Sequence, residues 1–221
     1  MDHEPRPRVS AKKRQRDRLI QLTDQHAGWA LGFLDETWWS RLARPALHSW
    51  ADASQPLRLV EQTVAKDDPD PKALACYGLL VRHAGAGEQA EQVWLRFVDG
   101  RPVSAVTTRF LAWCCTQLER QHVLVWALIW DNASWHVSKH VRSWIHAHNQ
   151  QVKQQGHGVR ILSCYLPIKS PWLNPIEPKW VHGKRAIVEP NRLLSGREVA
   201  ERACAYFGCP HDDHLIQEQV S

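Results

Sequence analysis

The segment Val123–Trp130, VLVWALIW, is eight uninterrupted apolar residues that stop at Asp131. A half-exposed strand alternates apolar and polar side chains, and a surface helix carries an apolar stripe with a period of about 3.6. So short and unbroken a run reads instead as a strand buried on both faces. Such a strand needs a covering layer on each side of its sheet, which commits the chain to an α/β architecture. The run falls far short of the roughly 20 apolar residues of a membrane span. No charged-then-apolar signal segment opens the sequence, so the expectation is a soluble, cytoplasmic protein without a membrane partner.

Other periodicities supply the remaining elements. WALGFLDETWWSRL (Trp29–Leu42) is an apolar, β-prone run ending in acidic residues, suited to a buried strand that delivers a carboxylate. Leu57–Val64 reads as a short strand, and Lys72–His83 and Glu91–Arg101 read as antiparallel neighbours across the turn Gly85–Gly87. Apolar residues at Phe110, Leu111, Cys114 and Leu118 predict a helix over 107–120 with a threonine cap at its start. Ser134 or Ser138 opens a helix running to about Gln155, closed by Gly156 and Gly158. Val159–Pro167 is a further strand, KSPWLNP leads into a helix from about Ile176 to Val188, and a last helix covers about Ser195 to Tyr206. Strands first, then strand and helix alternating, describe a mixed sheet flanked by helices.

A length of 221 residues with 43% apolar content suits one good-sized core. We divide it as a basic arm over 1–28, a catalytic unit over 29–206 and a tail over 207–221. Six cysteines, two of them adjacent at Cys114 and Cys115, make a disulfide scaffold a poor fit, and reduced thiols are expected. Of the formal charge of +5, residues 1–18 hold a surplus of four, with seven Lys/Arg against three Asp/Glu. A segment of that kind is either a solvated arm that touches nucleic acid or a surface helix.

Asp35 and Asp131 each close an apolar run, and Glu177 opens the helix that follows Pro175. Reactive groups in α/β sheets collect where strand ends and helix starts converge. Carboxylates on separate rigid elements suit magnesium, which prefers hard oxygen ligands and shares its sphere with water and substrate phosphate. Two such ions about 3.5–4 Å apart stabilise both the attacking and the leaving oxygen of an in-line phosphoryl displacement.

LIWDNASWH (Leu128–His136), LPIKSPWLNPIEPKW (Leu166–Trp180) and FLDETWW (Phe33–Trp39) together resemble the catalytic core of the mariner-related bacterial insertion-sequence transposases, the insertion-sequence 630 group. The likeness runs from about Trp29 to Val188. It implies a ribonuclease-H-like fold and a DDE triad of Asp35, Asp131 and Glu177 binding two Mg²⁺ ions, with Mn²⁺ as a substitute. It further implies DNA cleavage by water at the element's ends, then attack of the freed 3′-hydroxyl on target DNA at a TA step. Such pyrimidine–purine steps deform easily and can be selected by shape. Asn132 and His136 would orient a ligand or the scissile phosphate, and Asn174 would cap and aim the Glu177 helix. Lys169, Lys179, Lys184 and Arg185, interleaved with Trp172 and Trp180, would contact the DNA backbone.

Full members of that group carry helix-turn-helix modules ahead of the catalytic domain, whereas 34 residues precede Asp35 here. The expectation is therefore a catalytic half that works as a homodimer on DNA in the bacterial cytoplasm, at the nucleoid, with an upstream-frame helix-turn-helix partner. The 46-position gap from Asp131 to Glu177 is long for a mariner relative and is absorbed by a longer intervening helix. Two alternatives are an inactive DNA-binding remnant and a ribonuclease-H-like nuclease that hydrolyses without joining. Cys204, Cys209, His211 and His214 offer four zinc-type ligands, but their spacing matches no common finger, and two buried helix cysteines with a frayed tail account for them more simply.

Overall fold

The computed structural model describes residues 7–42, 64–85, 91–189 and 192–216, with side chains from residue 11 onward. Most of the strand expected at Leu57–Val64 and part of the Gly85–Gly87 turn lie outside the described residues. Six strands form one mixed sheet: β1 (Trp29–Ser40), β2 (Ala73–His83), β3 (Gln92–Asp99), β4 (Val125–Trp130), β5 (Arg160–Tyr165) and β6 (Leu215–Ile216). Their spatial order is β5-β4-β1-β2-β3-β6. The pairs β1/β2 and β2/β3 are antiparallel, while β4 runs parallel to both β1 and β5. The helices are α1 (Pro7–Gln25), α2 (Ser104–Arg120), α3 (Lys139–Gln155), α4 (Glu177–Ile187) and α5 (Gly196–Phe207).

The apolar run of β4, between β5 and β1, is covered on both faces. Trp126, Leu128 and Trp130 face one core with Phe110, Leu111 and Leu118 of α2 and Val141 and Ile145 of α3. Ala127 and Ile129 face the other, with Trp180 and Ile187 of α4 and Val199, Ala200 and Ala203 of α5. Both faces are covered, as an unbroken apolar strand requires. The expected mixed sheet flanked by helices is the architecture found.

Helix ends follow local chemistry. Ser138 caps α3 by accepting from the Val141 amide, and Gly156 closes it at φ 73°, a left-handed conformation that costs glycine little. Ser195 and Glu198 form a reciprocal capping box on α5. The start of α2 differs from expectation. It begins at Ser104, three residues before Thr107, and Val103 at its cap makes no side-chain bond. The Thr107 hydroxyl instead meets Tyr77 Oη at 2.7 Å, so a buried partner outcompetes capping.

Of the two forms open to the basic N-terminal segment, the structure takes the helix. α1 lies against β1, β4 and β5, with Leu19 and Ile20 packed on the core shared by α4 and α5. No helix among the described residues is long and apolar enough to cross a membrane. The six cysteines carry free thiols.

Candidate active site

The parallel ladder between β1 and β4 ends at Phe33 opposite Ile129. Two residues further along each chain stand Asp35 and Asp131, so the register carries both carboxylates to one level of the sheet. Asp131 leaves the end of β4 as expected. Asp35 does not end its strand: it is the seventh of twelve residues in β1 and remains paired with Gly78 of β2. The antiparallel partner keeps β1 extended after β4 has stopped, and this opens one side of Asp35 toward Asp131.

Alternation of side chains along β1 sends Asp35 and Glu36 to opposite faces. Asp35 joins the face of α4, where Trp180 Nε1 donates to Asp35 Oδ2 at 2.7 Å. Gly78 makes this possible, because a Cβ there would collide with the Trp180 ring. Glu36 joins the face of α2 and α3, where its Oε1 lies 2.6 Å from His136 Nε2. The other imidazole nitrogen, Nδ1, lies 2.7 Å from Asp131 Oδ1, and the Ala133 amide donates to the same oxygen at 2.9 Å. His136 is fully buried and stacked on Trp130 with ring centroids 4.6 Å apart. A carboxylate–imidazole–carboxylate bridge thus crosses from β1 to the end of β4.

Electrostatics separates the two aspartates. Burial first, and then the charge of Glu177, push Asp35 up to about 8, with the Trp180 bond acting the other way. Burial alone would also raise Asp131, but the His136 and Ala133 hydrogen bonds outweigh it and hold that carboxyl below its usual range. Burial would lower His136, yet Glu36 and Asp131 drive it up to about 9, so it stands between them as an imidazolium. Glu177 is raised by burial and by Asp131, while Lys184 opposes the rise.

Glu177 opens α4 and, with Asp131, Asn132, Lys169 and Asn174, lines a cleft of about 260 Å³. Asp35, Asp131 and Glu177 are therefore within electrostatic reach of one another. Among the described residues no three His, Cys, Asp or Glu side chains are drawn into a tight ligand cluster. The donor set nonetheless fits a hard divalent cation, since these are three oxygen ligands on separate elements, and mutual repulsion adds to burial in raising two of them.

The surrounding residues depart from expectation in several places. Asn132 lines the cleft but bonds to neither carboxylate ligand, donating instead to Leu166 O at 2.5 Å and accepting from Lys12 Nζ at 3.2 Å. Asn174 stands before the cap position of α4, which is Ile176, and its side-chain oxygen accepts from the Ile176 amide at 3.5 Å. Its side-chain nitrogen donates to Leu34 O at 3.1 Å and fastens the start of the Glu177 helix to β1. The four basic residues expected at DNA are dispersed. Lys169 and Arg185 are exposed, Lys179 pairs with Glu91 at 3.0 Å, and Lys184 lies over the Trp39 ring. Cys204 and Cys209 interact with each other inside the core edge, while His211 and His214 pair separately at 3.3 Å.

Sequence reasoning missed Glu36, Lys12 and Arg16. Glu36 is adjacent to Asp35 and by strand alternation lies on the far face. What linked it to the site was His136 reaching across, a contact with no local signature. Lys12 and Arg16 reach Leu166 O at 3.3 Å and Leu173 O at 3.0 Å, which required knowing that α1 packs on the sheet.

Residues 79–199 match the family described as DDE superfamily endonuclease. The structure is similar to the Mos1 transposase paired-end complex with left transposon end, at 18% identity and a TM-score of 0.59, covering 97% of this chain and 59% of that one. It is also similar to a pre-cleavage Mos1 transpososome, at 15% identity and a TM-score of 0.57, covering 95% and 58%. A third similar structure is the Mos1 mariner paired end complex with Mn, at 17% identity and a TM-score of 0.56, covering 96% and 58%. At these identities the likeness is one of fold, a ribonuclease-H-like sheet, and the chain spans about three-fifths of the transposase chains it matches. No curated protein matches it.

Proposed function

The chain belongs to the DDE superfamily endonucleases, and we propose that it is the catalytic domain of a mariner-related transposase of the insertion-sequence 630 group. In this reading it cuts DNA at the ends of a mobile element and transfers the freed 3′-hydroxyl to target DNA. The observation that carries the reading is the convergence of Asp35, Asp131 and Glu177, from β1, β4 and α4, into mutual electrostatic reach beside an open cleft.

Asp35, Asp131 and Glu177 would hold two Mg²⁺ ions, or Mn²⁺ in their place, and when bound these supply activation of the attacking oxygen and charge neutralisation at the phosphate. The chain's own residues prepare that site. His136, charged between Glu36 and Asp131, keeps Asp131 ionised and fixes its rotamer. Trp180 holds one oxygen of Asp35 by its indole N–H and leaves the other without that donor. Asn174 fixes the start of α4 against β1 and so sets where Glu177 stands. Lys169 and Arg185 offer exposed charge to the phosphate backbone.

Joining two element ends implies a homodimer on DNA. Recognition of the terminal repeats is assigned to a helix-turn-helix partner from an upstream frame, and the setting to the bacterial cytoplasm and its nucleoid. The test is incubation with Mg²⁺ or Mn²⁺ and DNA carrying candidate ends, alongside Asp131→Asn. Metal-dependent nicking by the wild type alone supports the reading, and equal nicking by both removes Asp131 from the chemistry. A pre-cleaved 3′-hydroxyl end then separates the activities: joined product marks a transposase, hydrolysis alone a nuclease. Salt-dependent binding without either reaction marks an inactive remnant.

A further inference from the structure

Trp172 and Trp180 stand eight positions apart in one motif, and the structure gives them opposite fates. Trp180 is 3% exposed and its indole N–H is bonded to Asp35, whereas Trp172 is 74% exposed. Ile168, on the same loop, is 72% exposed, and these two are the most exposed of the large apolar side chains among the described residues.

The loop that carries them is fastened at both ends. Leu166 O accepts from Asn132 and Lys12, Leu173 O accepts from Arg16, and the Asn174 amide reaches Leu34 O. Between these points Pro167 and Pro171 restrict the backbone, Ser170 is buried, and Lys169 is held at φ 58°, which a side-chain-bearing residue adopts only under local constraint. A loop this constrained could have turned its apolar side chains inward, and it presents them outward instead. Ile168 and Pro171 line the cleft that holds Asp131 and Glu177, and Trp172 is the next residue of the chain after Pro171.

Cationic groups accompany them. Lys169 has no ion-pair partner among the described residues, and the Lys12 ammonium donates only to two neutral oxygens, so both keep their charge for an anion. Apolar tips set among unpaired cations match a ligand that alternates flat apolar faces with phosphates, which is a nucleic acid strand. We propose that Ile168 and Trp172 form a wedge beside the scissile phosphate, against which one nucleobase leaves its stack, with the Trp172 indole supplying the replacement surface. The proposal rests on DNA being the substrate, and it goes beyond backbone contact by assigning a base-engaging element to the rim. Apolar side chains inserted at base steps open and kink duplexes in this way, most readily at flexible pyrimidine–purine steps.

The experiment compares cleavage of fully paired DNA with DNA carrying a mismatch or abasic position next to the cut. The proteins are wild type, Trp172→Ala, Ile168→Ala, the double variant and Trp172→Phe, with thermal melting as the control on folding. Trp172→Ala is expected to slow cleavage of paired DNA by about 10-fold, as loss of one stacking platform should. It should regain most of the wild-type rate on the pre-opened DNA, and Trp172→Phe should stay near wild type on both. All variants should melt as the wild type does, since these side chains bury little. A double variant that cleaves paired DNA at the wild-type rate overturns the proposal, as does an equal loss on paired and pre-opened DNA. A variant that loses self-association while keeping its DNA cleavage also overturns it, by assigning the apolar rim to a second copy of the chain. A wild type that cleaves neither DNA with either metal sinks the functional reading itself, and the wedge with it; active wild type with unaffected variants sinks the wedge alone.

Discussion

The two central aspartates are supported from opposite faces of the sheet, and by opposite means. On the α4 face Asp35 sits against Trp180 and Gly78, mostly out of water, with one indole N–H for support, and its carboxyl rises to about 8. Asp131, just past the end of β4, projects into solvent, its side chain 52% exposed, but is bonded to a charged His136 that Glu36 anchors from the α2/α3 face, and its carboxyl is held low. One ligand is thus ionised before any cation arrives, and the other is kept close to neutral until one does. The difference teaches that a carboxylate site can be half-prepared, with one group set for encounter and the other responding to binding.

Replacing each aspartate by asparagine gives the largest expected effects and separates the two roles. Asp35→Asn and Asp131→Asn should each reduce metal-dependent cleavage by about 10³-fold or more, because neither ligand can be spared and the set acts as a unit. Their stabilities should diverge. Asp131→Asn removes the anion facing His136 and should cost about 1 kcal/mol, a small figure because water screens this half-exposed group. Asp35→Asn replaces a carboxyl that is largely neutral at pH 7 and should leave the melting temperature unchanged or higher. Differential scanning calorimetry in a chelating buffer reads this directly, and an equal drop in both variants would erase the distinction between the faces.

The bridge offers the next largest effect. His136→Ala leaves the mostly buried Glu36 without its partner and removes the stack on Trp130, and should destabilise the fold by about 3 kcal/mol in urea titration. A loss well under 1 kcal/mol would mean that the bridge contributes to neither face. On the other face Gly78→Ala drives a methyl into the Trp180 ring and should cost about 2 kcal/mol, with cleavage falling in parallel as Asp35 loses its support. Wild-type cleavage in that variant would show that Trp180 has no hand in placing Asp35.

How far the amino-acid pattern reaches is visible in the same residues. The unbroken run before Asp131 was enough to show that β4 is buried on both faces and to place the carboxylate at its tip, although β4 lies second from the edge of the sheet rather than in its middle. Asp35 looked like a strand end because acidic residues follow the apolar run, yet β1 continues through Trp39, whose indole is buried against Trp180 and Phe207. Strand length there is set by the partner β2, a non-local fact. The same holds for Asn174, whose oxygen accepts from the Ile176 amide at the start of α4, as its spacing suggests, while its N–H reaches a β1 carbonyl that the spacing does not disclose. Pairings of high sequence separation, such as Glu36 with His136 or Lys12 with Asn132, leave no periodic trace, and only the folded arrangement discloses them.

The smallest expected effect tests the α4 face through pH. Trp180→Phe keeps the ring in place and removes one hydrogen-bond donor, so its cost should be about 1 kcal/mol when Asp35 is charged. The sign follows from the direction of the shift. The Asp35 carboxyl is raised in the folded chain, so the metal-free fold binds its proton more tightly than the unfolded chain does. The resulting stabilisation is complete below the ordinary carboxylate range near 4, declines above it, and is gone once the pH has passed about 8. The indole N–H favours the ionised form, so removing it raises that carboxyl further. The gap in melting temperature between wild type and Trp180→Phe should therefore widen as pH rises from 6 to 9 in a chelating buffer, and it should stay wide at all these values when Mg²⁺ is present, because the cation keeps Asp35 ionised. A gap independent of pH in the metal-free protein would show that Trp180 acts on this face through packing alone.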